Sequence, residues 1–247
     1  MGDGSSEAAY AGPLALVGGE EFQPGNEPQD TLLVQAAGEG PAFVLATAAA
    51  RQGSEMAVRN AQRWFAGIGL RVSELPAIRR SDTRSPEWVA AARRGRFFYL
   101  VGGDPGIVPR TLAGTPLWET VTEAWRGGAA LSGSSAGAMA LCEWTLVRER
   151  VPGDARRRYK SALGIVPRVA VIPHFDSFGH RWVRSAISGL PQDDAVLLGI
   201  DERTAVVWTG GAWSRLGEGS VTVLRGGGGE RFEDDTPIDG LPAPLFR

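Results

Sequence analysis

Ser135 is the residue of this chain whose neighbours point most clearly to chemistry. It is the third residue of a G-x-S-x-G pentapeptide that runs from Gly133 to Gly137. An apolar run, residues 129–131, precedes the pentapeptide, and a helix-forming stretch, residues 138–141, follows it. A serine on a sharp strand-to-helix turn projects from the backbone, and the first N–H groups of the helix can stabilise an oxyanion. The pattern predicts a nucleophile, although small residues also cluster in ordinary turns, so its partners decide the matter.

A serine nucleophile needs a base, and the chain offers two histidines, His174 and His180. His174 follows an apolar run, residues 169–172, and Pro173, which places it at the carboxyl end of a predicted strand. His180 lies within the next helical run, and the pattern does not predict which way its side chain points. Position therefore favours His174 as the general base.

The base in turn needs an acid that fixes its tautomer and stabilises the imidazolium. Asp201 and Glu202 follow the predicted strand at residues 196–200, and neighbouring residues at a strand end point to opposite sides. Only one of the two can therefore face the histidine. Asp176 is a third candidate, and a polar turn without catalytic meaning is the alternative for the whole segment.

The order of these groups along the chain distinguishes between fold classes. In an α/β-hydrolase the serine comes first along the chain, the acid second and the histidine third. Here an acid between Ser135 and His174 would have to be Glu143, Glu149 or Asp154, which lie close to the serine or in a loop. The order serine, histidine, acid fits the strand ends better and disfavours an α/β-hydrolase.

The elements that must position these groups alternate between strands and helices. Near-continuous apolar strands predict a single doubly wound, mostly parallel sheet with helices on both faces, an α/β fold, followed by a C-terminal β-hairpin at residues 205–214. Glycine-rich breaks follow three of the strands, at Gly18-Gly19, Gly102-Gly103 and Gly133. Ligands of such sheets bind at the carboxyl ends of the strands, so the breaks should gather at one edge with Ser135.

Bulk properties limit the classes of function. The 247 residues suffice for one large domain, which we place at residues 13–247 after a disordered leader at residues 1–12. A formal net charge of −2 argues against a nucleic-acid groove. The single cysteine, Cys142, fits a reducing compartment and a buried core position, and no apolar stretch is long enough to span a bilayer. We therefore expect a cytoplasmic protein.

The densest group of basic residues comprises the run from Arg156 to Arg158 together with Lys160. It falls within a polar segment, residues 148–161, that contains proline and glycine. We interpret the segment as a solvated loop, which leaves open whether it closes over the site.

Four blocks of the chain resemble peptidase family S51. They are SGSSAGAM around Ser135, VIPHFDSFGHRWVR around His174, LLGIDERTAVV around Glu202, and YLVGGDP, which ends at Pro105. The resemblance extends over residues 14–224. The family includes aspartyl dipeptidase and cyanophycinase, and its flavodoxin-like fold is similar to that of class I glutamine amidotransferases.

The resemblance implies a role for each matching residue. It makes Ser135 the nucleophile, His174 the base and Glu202, not Asp201, the orienting acid. It also implies an oxyanion hole formed by the N–H groups of Gly103 and Ala136. Family members select acidic or aspartyl-linked substrates with cationic or polar groups, for which the candidates here are Asp104, Arg181, Arg184 and Arg203.

The resemblance thus implies a serine peptidase that hydrolyses short peptides or aspartyl-linked amides through an acyl-enzyme. The alternatives are another acyl hydrolase on the same triad and a non-catalytic binding relative. No cofactor and no metal are expected, because two histidines without a carboxylate cluster make a poor metal site. The expected partner is a small peptide, with no nucleic acid and no membrane, and a homodimer is left open.

Overall fold

The fold alternates short strands with amphipathic helices along most of the chain. The computed structural model describes residues 11–148, 157–226 and 228–245. The strands are β1 Leu14–Val17, β2 Ala42–Leu45, β3 Val72–Glu74, β4 Phe97–Leu100, β5 Ala130–Ser134, β6 Cys142–Arg148, β7 Arg157–Ser161, β8 Val166–Ile172, β9 Val196–Ile200, β10 Thr204–Trp208, β11 Trp213–Gly217, β12 Val221–Arg225 and β13 Gly228–Phe232. The helices are α1 Glu27–Ala37, α2 Ser54–Gly67, α3 Pro86–Arg93, α4 Ile107–Leu112, α5 Pro116–Arg126, α6 Ala136–Leu141 and α7 Val183–Ser188, with 3-10 turns at Asp82–Arg84 and Gly179–Trp182.

The first sheet has seven strands in the order β11-β10-β1-β5-β4-β2-β3. The five strands from β1 to β3 in this order run parallel. Successive residues of β1 point to opposite faces, since Leu14 and Leu16 pack in one hydrophobic cluster while Ala15 and Val17 pack in another. Both faces are therefore buried, as the apolar strands predict. The antiparallel pair β10–β11 confirms the predicted C-terminal hairpin.

The remaining strands form a second sheet, in the order β13-β12-β9-β8-β6-β7. The predicted α/β class with mostly parallel central strands is confirmed, but the strands are divided between two sheets instead of the single predicted sheet. The reason lies in β10, which pairs antiparallel with the outer edge of β1. With that edge occupied, β8 and β9 pair in parallel with each other and extend a sheet of their own.

The segment predicted as a polar loop, residues 148–161, forms a strand where it can be described. β7 pairs antiparallel with β6, and Arg148 stands opposite Arg157. The prediction of a loop is wrong for residues 157–161 because β7 is an edge strand, where charged side chains can remain exposed. Residues 149–156, which include the alternative acids Glu149 and Asp154, lie outside the described residues.

An aromatic cluster packs α2 against the first sheet. Phe65 contacts Phe97 and Tyr99 edge to face, with ring centroids 5.0 and 5.5 Å apart, and Phe22 covers the group from the loop after β1. All three rings of Phe65, Phe97 and Tyr99 are fully buried. This packing fixes the loop after β1, which lies beside Ser135.

The two sheets meet at the turn Gly18-Gly19, which directly follows β1. The Gly18 N–H donates to the Thr204 carbonyl at 2.8 Å, and the Gly18 carbonyl accepts the His174 N–H at 2.7 Å. The Gly19 carbonyl accepts the Arg203 N–H at 3.0 Å. A Cβ on Gly18 would lie 2.1 Å from the Asp201 carbonyl oxygen, so the approach requires glycine. The turn therefore connects β1 to the loops that follow β8 and β9.

Two predictions concern the start of the chain and membranes. Of the predicted leader, residues 1–12, only Ala11 and Gly12 are described, and the indole N–H of Trp125 donates to the Gly12 carbonyl at 2.9 Å. Among the described residues, no helix combines the length and the apolar character that a membrane crossing requires.

Candidate active site

Ser135 occupies a strained turn between β5 and α6. Its φ of 49° and ψ of −110° are unfavourable for a residue with a Cβ, and its N–H donates to the Val17 carbonyl at 2.9 Å. The flanking glycines permit the turn, because a Cβ on Gly133 would lie 2.5 Å from the carbonyl carbon of Gly137, and one on Gly137 would lie 2.2 Å from the Leu100 carbonyl oxygen. The turn therefore projects the Ser135 hydroxyl from the sheet edge, in the manner that G-x-S-x-G predicts.

His174 lies within hydrogen-bond distance of that hydroxyl. Its Nε2 is 3.1 Å from the Ser135 Oγ, and its own backbone is held at a φ of 50° by the bond to Gly18. The imidazole is 17% exposed and stacks on the Phe178 ring, with centroids 4.9 Å apart. A Cβ on Gly19 would lie 2.3 Å from the His174 Cε1, so glycine at position 19 leaves the space that the ring occupies.

Glu202 is hydrogen-bonded to the other ring nitrogen of His174. Its Oε1 lies 2.7 Å from the His174 Nδ1, and its side chain is 22% exposed. The Asp176 carboxylate accepts the Glu202 N–H at 3.0 Å, so this third predicted acid contacts the backbone of Glu202. A polar contact thus runs from Ser135 through His174 to Glu202.

Asp201 points away from the histidine. Its Oδ2 accepts the N–H of Ser220 at 2.8 Å and the hydroxyl of Ser220 at 2.6 Å, and the residue is buried. The carboxylate therefore joins the end of β9 to the start of β12. The two neighbouring acids face opposite sides, as alternation at a strand end predicts.

The N–H groups predicted for an oxyanion hole lie at two adjoining strand ends. Ala136 is the first residue of α6, where a helical N–H has no acceptor within the helix. Gly103 has a φ of 143°, and its N–H donates to no acceptor among the described residues. A Cβ on Gly103 would lie 2.3 Å from the Ala48 carbonyl oxygen, so this position also requires glycine.

Glu21 connects the two strand ends and was not predicted from the sequence. Its Oε1 accepts the Gly102 N–H at 2.8 Å, and its Oε2 accepts the Ser134 hydroxyl at 2.8 Å. One carboxylate therefore holds the residue before Gly103 and the residue before Ser135. The neighbouring Glu20, at a φ of 54°, lies beside the imidazole.

Glu20, His174 and Glu202 each place one ligand atom within 4.8 Å of the others, a group found when the described residues are searched for metal-binding clusters. Glu20 is exposed, and the imidazole and Glu202 are already hydrogen-bonded to each other. We therefore interpret His174 and Glu202 as a hydrogen-bonded pair beside the exposed Glu20 and give the group no metal role.

The other predicted residues make contacts elsewhere, are exposed to solvent, or are buried in the core. The Asp104 carboxylate accepts the Gly106 N–H at 2.8 Å and so stabilises its own loop. The Arg203 Nη1 lies 3.5 Å from the Glu218 Oε2. Arg181 and Arg184 are exposed. His180 is exposed beside the Phe175 carbonyl. Cys142 is fully buried, and burial raises the pKa of its thiol well above its usual range.

A cavity of about 300 Å³ opens over Ser135 and His174. Gly102, Gly103 and the segment from Glu20 to Gln23 line it. Gly103 also lines a second, larger cavity on the side of β6 and β7. The first cavity has room for a small acyl group. The second cavity adjoins it at Gly103 and enlarges the candidate site.

The chain is similar to known proteins in both sequence and fold. The sequence model of peptidase family S51 matches residues 14–216. The cyanophycinases of Synechococcus elongatus and Thermosynechococcus vestitus are each 30% identical to the chain over 219 residues, which cover 85% of this chain and 67% of those proteins. The crystal structure of a peptidase from an acI-B1 Actinobacterium aligns with a TM-score of 0.80 and 31% identity, over 93% of this chain and 97% of that chain. A putative peptidase E from Listeria monocytogenes EGD-e, 13% identical, shares the fold with a TM-score of 0.54 over 90% of this chain and 98% of that chain.

Proposed function

The chain belongs to peptidase family S51 and is a serine-type hydrolase, and from that premise we propose that it cleaves short peptides or aspartyl-linked amides with Ser135, His174 and Glu202. The observation that carries the proposal is the unbroken contact from the Ser135 Oγ to the His174 Nε2 at 3.1 Å, and from the His174 Nδ1 to the Glu202 Oε1 at 2.7 Å. These distances permit proton transfer without rearrangement.

In the proposed mechanism His174 accepts the proton of Ser135 as the Oγ attacks the amide carbonyl. Glu202 accepts the Nδ1 proton in a hydrogen bond, which fixes the tautomer and stabilises the imidazolium. The carbonyl oxygen becomes an oxyanion and is stabilised by the N–H groups of Gly103 and Ala136. His174 then protonates the leaving amine, and a water molecule activated by His174 hydrolyses the acyl-enzyme.

Two features support a short peptide as the substrate. The cavity over Ser135 measures about 300 Å³, which suits a residue or two better than a folded chain. The relatives named cyanophycinase and the resemblance to aspartyl dipeptidase favour an acidic or aspartyl-linked residue at the scissile bond. Arg181 and Arg203 remain candidates for contacts to that residue.

The test is a hydrolysis screen read by mass spectrometry, with the wild type against Ser135→Ala. The panel contains dipeptides with every N-terminal residue, β-aspartyl dipeptides and simple esters. We expect cleavage of an acidic or β-aspartyl subset, with a loss of several orders of magnitude in the variant, because Ser135 supplies the nucleophile. Ser135→Ala as active as the wild type would refute the mechanism.

The panel also separates the alternatives. Cleavage of esters alone would identify another acyl hydrolase on the same triad. No cleavage of any member, with the fold intact by circular dichroism, would favour the non-catalytic relative.

A further inference from the structure

The second cavity, of about 520 Å³, adjoins the candidate active site and is rich in positive charge. We call it the cationic cavity. Five basic side chains line it, whereas the Asp104 carboxylate is the acidic group among its described lining residues. The basic residues are Arg110, Arg148, Arg157, Arg158 and Lys160.

The hairpin of β6 and β7 supplies four of these five cations. Arg148 stands directly opposite Arg157, and like charges in directly opposed positions of a β-pair destabilise it. Arg158 and Lys160 lie two positions apart and so share the other face of β7. They stand opposite Val147 and Thr145. Their face is turned toward the loop that follows Gly103, because the Thr145 hydroxyl lies 3.5 Å from the Pro105 carbonyl oxygen.

Within the described part of the chain, no carboxylate forms an ion pair with these four residues of the hairpin. The Arg157 guanidinium stacks on Trp182, with its central carbon 3.9 Å from the ring centroid. Burial and the charge of Arg148 both lower the pKa of Arg157. Arg148 and Arg157 therefore repel each other, and an anion bound beside them would relieve that repulsion.

A row of aromatic rings connects the cationic cavity to the candidate triad. Phe178 stacks on the imidazole of His174 and also lines the cationic cavity. Its centroid lies 5.5 Å from that of Trp182, which in turn carries Arg157. Gly103 lines both cavities. A peptide whose carbonyl lies at Gly103 could therefore extend along this wall toward the cations.

We propose that the cationic cavity is a substrate subsite that binds carboxylates of an acidic peptide, beyond the residue at the scissile bond. The inference rests on the proposed function. Arg158 and Lys160, two residues apart on a strand, repeat at roughly 6.8 Å, which is also the repeat of alternate side chains in an extended peptide. Arginine binds carboxylates through paired hydrogen bonds, and the net charge of −2 disfavours a large polyanion such as nucleic acid.

The first experiment measures binding without turnover. Ser135→Ala is titrated calorimetrically with an acetylated tetra-aspartate peptide and with its tetra-asparagine counterpart. We expect the aspartate peptide to bind at least about tenfold more tightly and to weaken as salt is raised, because each charge-assisted hydrogen bond contributes to affinity. Equal affinity for the two peptides overturns the proposal.

Variants then locate the binding. Adding Arg157→Gln or Lys160→Gln to Ser135→Ala should each weaken the aspartate peptide about tenfold and leave the asparagine peptide unchanged. The matched control is Arg231→Gln on β13, where the arginine is exposed and pairs with Glu233. Arg157→Gln could disturb the packing on Trp182, and the exposed Lys160 provides a variant free of that complication. An unchanged affinity in the Lys160 variant overturns the proposal.

A further arm distinguishes carboxylates from phosphate. A phosphoserine tetrapeptide that binds more tightly than the aspartate peptide and loses that advantage in Lys160→Gln would overturn the assignment to carboxylates. Because binding is measured on Ser135→Ala, the result is separate from the hydrolysis screen. A failure of the triad would appear there, and a failure of the cationic cavity would appear here.

Discussion

At the scale of single residues, the end of β9 places two neighbouring carboxylates in different environments. Glu202 faces the imidazole of His174, whereas Asp201 is buried against Ser220. The sequence alone predicts that the two must diverge, because side chains alternate along a strand, but not which of them faces the histidine. The resemblance to family S51 was needed to select Glu202.

This divergence leads to opposite expectations for two conservative substitutions. Glu202→Gln should lower kcat by about three to four orders of magnitude, because the amide can no longer stabilise the imidazolium, and should leave the melting temperature nearly unchanged. Asp201→Asn should lower stability by about 1–3 kcal/mol, through weaker bonds to Ser220, while kcat stays close to that of the wild type. Steady-state kinetics and thermal unfolding of both variants check the pair. A drop in kcat for Asp201→Asn equal to that of Glu202→Gln would contradict the proposed roles.

Glu21 shows the limit of prediction at this scale. Its carboxylate reaches Ser134, which is 113 positions away, and Gly102, which is 81 positions away. The local sequence around Glu21 carries no signal of either contact. Such long-range contacts follow from the order of strands in the sheet, which the sequence pattern does not specify.

At the scale of elements, the turn after β1 is the structural centre of the site. The carbonyls of Gly18 and Gly19 accept hydrogen bonds from the N–H groups of His174 and Arg203. The Ser135 N–H donates to the carbonyl of Val17, which directly precedes them. The sequence indicates that glycines end this strand, but not that the segments carrying Ser135, His174 and Arg203 converge at its end. The sequence pattern does not predict the β6–β7 hairpin for a related reason, because an edge strand rich in arginine has the polar composition of a loop.

Gly19→Ala should impair catalysis and stability together. The backbone φ of Gly19 is 131°, and a Cβ there would lie 2.3 Å from the imidazole, so the variant must shift His174. We expect a loss of about 1–3 kcal/mol from backbone strain and a fall in kcat of at least tenfold as the histidine moves from Ser135. Thermal unfolding and steady-state kinetics measure the two effects.

Gly69→Ala is the matched control for this experiment. Its φ is 89°, and nothing lies within 4 Å of a Cβ built there. It should lower the melting temperature through backbone strain and leave kcat unchanged. If both variants keep full activity, the position of His174 does not depend on Gly19.

At the scale of the whole molecule, the packing of α1 against the first sheet buries an acid that the proposed reaction does not use. Asp30, on α1, is 1% exposed and accepts the Trp64 indole N–H at 2.7 Å. Burial, reinforced by the nearby carboxylates Glu21 and Glu27, raises the pKa of Asp30 from 3.8 to about 7. The native protein therefore keeps this proton at pH values where the unfolded chain has released it.

The contribution of Asp30 to the stability of the protein should accordingly fall as the pH rises from about 4 to about 7. In this range the native state binds one more proton at Asp30 than the unfolded state, so the free energy of unfolding decreases, by on the order of 4 kcal/mol over the range. Below pH 4 both states are protonated at this site, and above pH 7 both are charged.

Asp30→Asn removes this titration while retaining an acceptor for Trp64. Urea unfolding at a series of pH values, followed by tryptophan fluorescence, should show that the variant gains stability relative to the wild type as the pH rises toward 7. A difference between the two proteins that does not change with pH would show that Asp30 titrates normally.

The division into two sheets has a consequence for how the proposed triad can fail. Ser135 follows β5 of the first sheet, whereas His174 and Glu202 follow β8 and β9 of the second. A small slip of one sheet along the other would lengthen the contact between serine and histidine and leave the contact between histidine and glutamate intact. Catalytic activity therefore depends on the alignment of the two sheets. We expect activity to be lost at denaturant concentrations that are too low to unfold either sheet.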